Sequence, residues 1–305
     1  MVKNRHTRAG DIRDLDFSAP AGIPDEVEVM SLRQLRSRTG RTGLGTPQRP
    51  TFHHLLTLER GALHHTVDFT GYDLVPGAWL WVRPGQVQQW GDLSDVDGTL
   101  ILFEPAFLEP STAISAGLDD PHAPTRYTFA GADQQRLSVA TRHLAGVFAG
   151  PGSLPLEVRR TMLRHLLAVL VLQLAHLGAD TVGPTPGSDD TFQRFRDALE
   201  RSFTRVHKLD DYARSLGYSA RTLSRATQAA AGVNGKEFID QRIILEAKRL
   251  LAHSGHTAAQ VAARLGFVSA TNFSKYFHAR TGLTPIAFRA GLTAAARSGQ
   301  TVRER

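Results

Sequence analysis

The sequence predicts an α+β protein in two parts, a small antiparallel β-barrel carrying two helices, followed by an all-α domain. Three observations support this. Between Thr51 and Phe107, short apolar runs alternate with turn residues. From about Asp189 onward the pattern turns helical. The charge also divides there: from Asp189 the chain has 19 Lys and Arg against 10 Asp and Glu, while residues 1–188 hold 17 against 19. A basic module beside a nearly neutral one suits a polyanionic partner for the basic part only.

The 305 residues leave room for two separate cores. Cysteine is absent, which excludes disulfides and thiolate-bound zinc and suits a cytoplasmic location. The start, MVKNRHTRAGDIRD, is basic but lacks the apolar stretch of a signal peptide. Leu166–Leu172 is the greasiest stretch, far short of the ~20 residues a membrane helix needs, so no membrane partner is expected.

Residues 1–50 mix Arg, Gly, Thr and Pro and read as an arm, flexible over 1–26, with one short strand around Val27–Leu32. The runs FHHLLTL, ALHHTVDF, YDLVPG, WLWV and TLILF then read as short strands, broken by Arg60-Gly61, Gly71, Pro76-Gly77, Pro84-Gly85 and Asp97-Gly98. Helices follow over 131–149 and 155–178, closing a first domain of residues 27–178. Residues 179–190 are rich in Gly, Pro and small polar residues and read as a linker. The helical domain spans 191–292, with a disordered tail over 293–305.

The helix over 155–178 carries two apolar stripes, one at Leu163, Leu167, Leu170, Leu174 and Leu177, the other at Met162, Leu166, Val169 and Leu172. One stripe packs on its own domain. The surplus predicts a homodimer through Leu163, Leu167, Leu170 and Leu174.

An internal repeat organises the helical domain. YARSLGY (212–218) matches VAARLGF (261–267), and SARTLSRATQAAAGVNGKEF (219–238) matches SATNFSKYFHARTGLTPIAF (269–288). Gly217 and Gly266 can take the positive φ that ends a helix sharply. Ser219 and Ser269 can cap the next helix, and Thr257 with Gln260 forms a capping box. Ala213 and Ala262 permit close helix approach, while Gly232 and Gly282 stop the second helix of each unit. Between the repeats, Glu237–His253 reads as one long helix whose Ile239, Ile243, Leu250 and Leu251 join the units, with Arg242, Lys248 and Arg249 pointing elsewhere.

These motifs resemble the DNA-binding domain of the AraC/XylS family of bacterial transcription regulators. The signature is present as Gly266, Phe267, Ser269, Phe273, Lys275, Phe277, Gly282, Pro285 and Arg289. The resemblance implies a double helix-turn-helix domain placing two recognition helices in successive major grooves of promoter DNA. With Leu223 and Phe273 facing inward, helical spacing puts Arg221, Ser224, Arg225 and Gln228 on the outer face of one recognition helix. The equivalent set on the other is Thr271, Ser274, Lys275 and His278. Repeat one has Ala226-Thr227 where repeat two has Tyr276-Phe277, predicting a looser first unit.

The strand order, PG turns and two helices resemble, more weakly, the cupin-like effector domain of the same family. That resemblance implies a small-molecule effector inside the barrel, and RNA polymerase as a further partner if the protein is an activator. Alternation puts His54 on one face with Phe52, Leu56 and Leu58, His65 with Leu63, Val67 and Phe69, and Trp79 with Trp81. These faces are taken as inward, so His54, His65, Trp79 and Trp81 are the effector candidates. His53-His54 and His64-His65 offer no H-x-H pair, and Gln88 stands where metal cupins supply a further His. No metal or other cofactor is therefore expected. No nucleophile motif, phosphate loop or HExxH is present, and the Gly-rich stretch Thr39–Pro47 lacks a strand-then-helix setting, so no enzyme is expected. The alternatives are a cupin oxygenase or isomerase, which would retain metal, and an architectural DNA binder, which would show little sequence preference.

Overall fold

The computed structural model describes residues 13–17, 26–39, 44–120, 123–150, 154–181, 190–252 and 256–292. The chain divides into two compact units, one holding the described residues up to 181, the other those from 190 onward. The fold is mixed, with antiparallel sheets first and helices after. Most of the flexible arm, most of the linker and the whole C-terminal tail lie outside the described residues.

The first unit runs β1 (Arg13–Leu15), β2 (Val27–Ser31), α1 (Leu32–Thr39), β3 (Gln48–Pro50), β4 (His53–Arg60), β5 (Leu63–Val67), β6 (Thr70–Leu74), β7 (Ala78–Val82), β8 (Gln88–Gln89), β9 (Asp97–Phe103), α2 (Pro110–Ser115), β10 (Arg126–Thr128), α3 (Gly131–Ala149) and α4 (Leu156–Thr181). The five apolar runs all form strands. The stretch read as an arm differs: it also contains α1 and the short strands β1 and β3. These strands are too short to show a hydrophobic period.

Two five-stranded sheets form, ordered β1-β3-β8-β5-β6 and β10-β7-β4-β9-β2. All pairings are antiparallel except β1 with β3, and no ladder joins the two sheets among the described residues. They form a sandwich around a shared core of Leu56, Leu58, Leu80 and Leu100 from the second sheet and Leu63, Val67, Leu74 and Trp90 from the first. The second sheet is buried on its other face as well. There Leu55, Trp79, Trp81, Ile101 and Phe103 meet Leu137 and Leu144 of α3 and Leu163, Leu167, Leu170 and Leu174 of α4.

This corrects the expected dimer surface. Leu163, Leu167, Leu170 and Leu174 are all 0% exposed within their own subunit, so none is available to a partner. The helix α4 needs this stripe because it packs against α3 and also belongs to the core over the sheet. What the second stripe leaves outside is Val169, 49% exposed, opposite Val139 of α3, 51% exposed.

The second unit is α5 (Asp190–Ser202), α6 (Leu209–Leu216), α7 (Ala220–Ala231), α8 (Gly235–Ala252), α9 (Ala258–Arg264) and α10 (Ala270–Thr281), with a last helical stretch over 285–292. The local signals act as their chemistry predicts. Ser219 and Ser269 accept from the N–H groups of Thr222 and Asn272, and Thr257 with Gln260 closes both halves of a capping box. Gly217, Gly232, Gly266 and Gly282 all have φ between +71° and +73°. Ile239, Ile243, Leu250 and Leu251 of α8 lie in one core with Leu223 of α7 and Phe273 and Phe277 of α10. Thr227, at the place Phe277 takes in repeat two, is 0% exposed, its hydroxyl donating to the Leu223 carbonyl at 2.7 Å.

Gly217 and Gly266 separate two reasons for glycine. Both are left-handed, but a Cβ at Gly217 would meet nothing within 4 Å, whereas one at Gly266 would strike the carbonyl oxygen of Thr204. Gly217→Ala should therefore cost only the left-handed penalty, about 1–2 kcal/mol. Gly266→Ala should cost that plus the displacement of backbone, about 1–3 kcal/mol more. Urea unfolding of the two variants checks the order; equal losses would contradict it.

Candidate functional site

Helices α7 and α10 carry the outer face expected to meet DNA. Arg221, Arg225 and Gln228 are exposed on α7, and Thr271, Lys275 and His278 on α10. Ser224 and Ser274 are half-buried. The Ser224 hydroxyl accepts the N–H of Gly235 at 3.2 Å, so it ties α7 to the start of α8. Gln228 donates its amide to the Gly232 carbonyl at 2.9 Å, closing the end of its own helix. Neither engagement is visible in a helical wheel. Asn272 escaped the sequence reading although it is exposed in the first turn of α10. Its position directly before inward-facing Phe273 was the available signal.

Three further basic side chains of this unit, Arg242, Arg249 and Arg289, are structural. Arg242 donates to both carboxylate oxygens of Glu200 at 2.9 Å and lies 3.8 Å from the Phe203 ring centroid. Arg249 is buried, 3.6 Å from Glu246. The signature residue Arg289 donates to the carbonyls of Leu251, at 3.0 Å, and His256. These groups use their charge to fasten helices.

One network joins α10 to α8. Asp240 accepts hydrogen bonds from the Tyr276 hydroxyl at 2.5 Å and from Lys236, and pairs with Arg280 at 2.9 Å. The Arg280 guanidinium also lies 3.6 Å from the Tyr276 ring centroid. Burial alone would raise the Asp240 pKa, but the hydrogen bonds from Lys236, Tyr276 and Arg280 outweigh it and hold it below the usual value. Burial and the neighbouring Asp240 keep the Tyr276 phenol protonated.

The effector candidates of the first unit do not come together. His54 and His65 lie in the core between the sheets, joined through Gln88, which contacts His54 Nδ1 at 3.1 Å and His65 Nε2 at 3.2 Å. Trp79 and Trp81 lie on the opposite face of the second sheet, against α3 and α4. Alternation correctly groups the residues of each strand. It cannot choose the inward face of β7, because all five of its residues are buried. The strand β5 also ends at Val67, and Phe69 sits in a turn with φ +68°. Burial pushes His54 and His65 down to about 3, so both are neutral at ordinary pH. Among the described residues no three His, Cys, Asp or Glu side chains come together as a metal site requires.

Two capped helix-turn-helix units, set in one core with their outer helices exposed, define a DNA-binding transcription regulator. The family described as "Helix-turn-helix domain" matches residues 212–291. The transcriptional activator RhaS of Salmonella schwarzengrund is 22% identical over 247 residues, covering 79% of this chain and 86% of that protein. The RhaS of Salmonella paratyphi B is 23% identical over 249 residues, with the same coverage. A structure of ToxT from Vibrio cholerae aligns over 87% of this chain and 98% of its own, at 12% identity and a TM-score of 0.43. Over its second unit the chain is thus similar to helix-turn-helix proteins, and over most of its length to transcriptional activators of the RhaS type. Among the described residues no helix is long and apolar enough to cross a membrane.

The Asp240 network yields a prediction. Asp240→Asn removes the charge that collects three donors and should destabilise the second unit by about 1–3 kcal/mol at neutral pH. Because the folded-state pKa is depressed, this stability is complete above the unfolded value and is lost as pH falls through the folded one. Denaturant unfolding should thus show the gap between wild type and variant shrinking below the carboxylate range. A gap independent of pH would contradict the assignment.

Proposed function

We propose that this regulator binds a specific promoter site by placing α7 and α10 in successive major grooves. The observation that supports this reading most is the exposure of Arg221 and Arg225 four residues apart on α7, matched by Thr271 and Lys275 on α10. Arginine and lysine suit guanine O6 and N7, and the amide of Asn272 suits adenine. Ser224, Ser274, Gln228 and His278 complete the faces. Ser224 and Gln228 have intramolecular partners to exchange before contacting a base. The relatives described as activators favour activation, with RNA polymerase as a further partner and no catalytic role. Arg225→Ala should weaken the cognate site by about 1–3 kcal/mol and relax selection at one base position. Binding-site selection with both proteins reads this. Equal weakening on every sequence would make Arg225 a phosphate contact.

The first unit is read as an effector-sensing and dimerising domain. The expected four-leucine seam is replaced by a groove of about 520 Å³ between α3 and α4, lined by Val139, Ala140, Leu166 and Val169 and bordered by Arg136 and His143. A second copy is the proposed occupant, since two copies of this face would cover each other's valines. Sedimentation of the full chain should show a dimer that Val169→Asp converts to monomer. A wild-type monomer at tens of micromolar, typical of modest interfaces, would remove the proposal.

A further inference from the structure

We propose that Arg83 and His53 form a binding site for a small oxyanion, the carboxylate or phosphate group of a metabolite, on the helix-facing side of the second sheet. Arg83 is buried, 6% exposed. Its terminal nitrogens donate to the carbonyls of Ala123, at 3.4 Å, and Pro124, at 3.0 Å, and to the Tyr127 hydroxyl at 3.2 Å. Its Nε has no partner. Among the described residues no carboxylate pairs with it; its other close neighbour is the Trp81 ring, 4.6 Å from the guanidinium carbon.

His53 meets Trp81 at the indole N–H and is fully buried. Trp81 Nε1 donates to His53 Nδ1 at 3.2 Å, which leaves the imidazole proton on Nε2. That Nε2 also has no partner. The ring stacks on Phe103, with centroids 4.6 Å apart. Two neighbouring buried side chains therefore each carry an unused N–H donor, and one of them is a cation with no carboxylate in direct contact among the described residues, Asp120 acting on it only through the Tyr127 it hydrogen-bonds.

A buried cation without a directly paired carboxylate is costly, and dipoles from two carbonyls and a phenol do not neutralise it. Water could accept from the free N–H groups but would leave the charge unbalanced. A metal ion would be repelled by it. An oxyanion supplies both acceptor lone pairs and charge, and an arginine edge that includes Nε is suited to a carboxylate or phosphate. The pKa of His53 is lowered to about 3, by burial first and then by the Arg83 charge, so the positive potential of Arg83 reaches the imidazole. The same sheet face opens at its far end. Leu55 pairs with Trp81 and Thr57 with Trp79, and both Thr57 and Trp79 line a half-open groove of about 510 Å³ beside α3. The site lies opposite the His54–Gln88–His65 chain, across the sheet.

The proposal rests on the reading that the first unit senses a small molecule, and it names that molecule's class. The test is thermal unfolding of the full-length protein in acetate, benzoate or inorganic phosphate, each against chloride at equal ionic strength. At least one oxyanion should raise the wild-type midpoint saturably. Whether a carboxylate or phosphate does so identifies the source of the group. Arg83→Gln should abolish the shift, and His53→Gln should weaken apparent affinity about tenfold, one lost hydrogen bond's worth. If Arg83→Gln does not fold, Arg83→Lys should keep the charge but bind more weakly than wild type. No saturable shift in wild type with any of the three anions, or an equal shift in the Arg83 variant, overturns the proposal. Neutral metabolites that stabilise wild type and variant alike would also overturn it, while leaving the sensing reading in place.

Discussion

The burial of the apolar face of α8 is the interaction on which the DNA-binding unit depends. Ile239 and Ile243 are completely buried, and Leu250 and Leu251 nearly so, in one core with helices of both repeats. The helix α8 packs on α6 and α7 of one repeat and on α9 and α10 of the other, so it forms a wall of the core for both. The consequence for function is geometric. Two outer helices held against a shared helix have their separation set by protein packing before DNA is met, which lowers the ordering cost of binding. The polar fastenings act in the same direction: Asp240 joins α8 to α10, Arg242 joins α8 to α5, and Arg289 joins the last helical stretch to the end of α8.

A different constraint governs the first unit. Its second sheet is covered on both faces, by another sheet on one side and by α3 and α4 on the other. Polar groups placed on such a sheet have no water to turn to, so each needs a partner inside. Gln88 supplies one for His54 and His65 together, and Trp81 supplies one for His53, but each imidazole keeps one nitrogen unpaired. The gaps at His53 and His54 lie on opposite faces of one strand, β4, while that at His65 lies across the core on β5. The helices α3 and α4, which form one wall of the histidine-53 layer, also carry the exposed Val139 and Val169.

How much of this could be read in advance follows from the range of each interaction. Helix caps and stops join residues within about four positions, so Ser219, Thr257, Ser269 and the four terminating glycines announce themselves locally. The repeat multiplies that signal. The longer strands were equally legible, because alternating or continuous apolar runs and PG turns are local too, whereas β1, β3, β8 and β10 are too short to show a period. What stayed hidden depends on distant partners. The engagement of Ser224 with Gly235, of Arg242 with Glu200 and of Arg289 with Leu251 spans 11, 42 and 38 positions. The effector quartet divides between two layers for a subtler reason: alternation states which side chains share a face, not which neighbour that face meets. In α4 the apolar stripes were correctly seen, but the stripe closest to a heptad repeat proved to be the one that the subunit needs for itself.

Packing around α8 holds α7 and α10 at one separation. Hydroxyl-radical footprinting on the selected site, and on derivatives with bases inserted between the two contact blocks, tests it most directly. Two protected blocks are expected on one face of the duplex, about one helical turn or 10 base pairs apart, with loss of binding when roughly half a turn is inserted. A single protected block, or undiminished binding to the lengthened site, would show that the two helices do not act as one fixed unit.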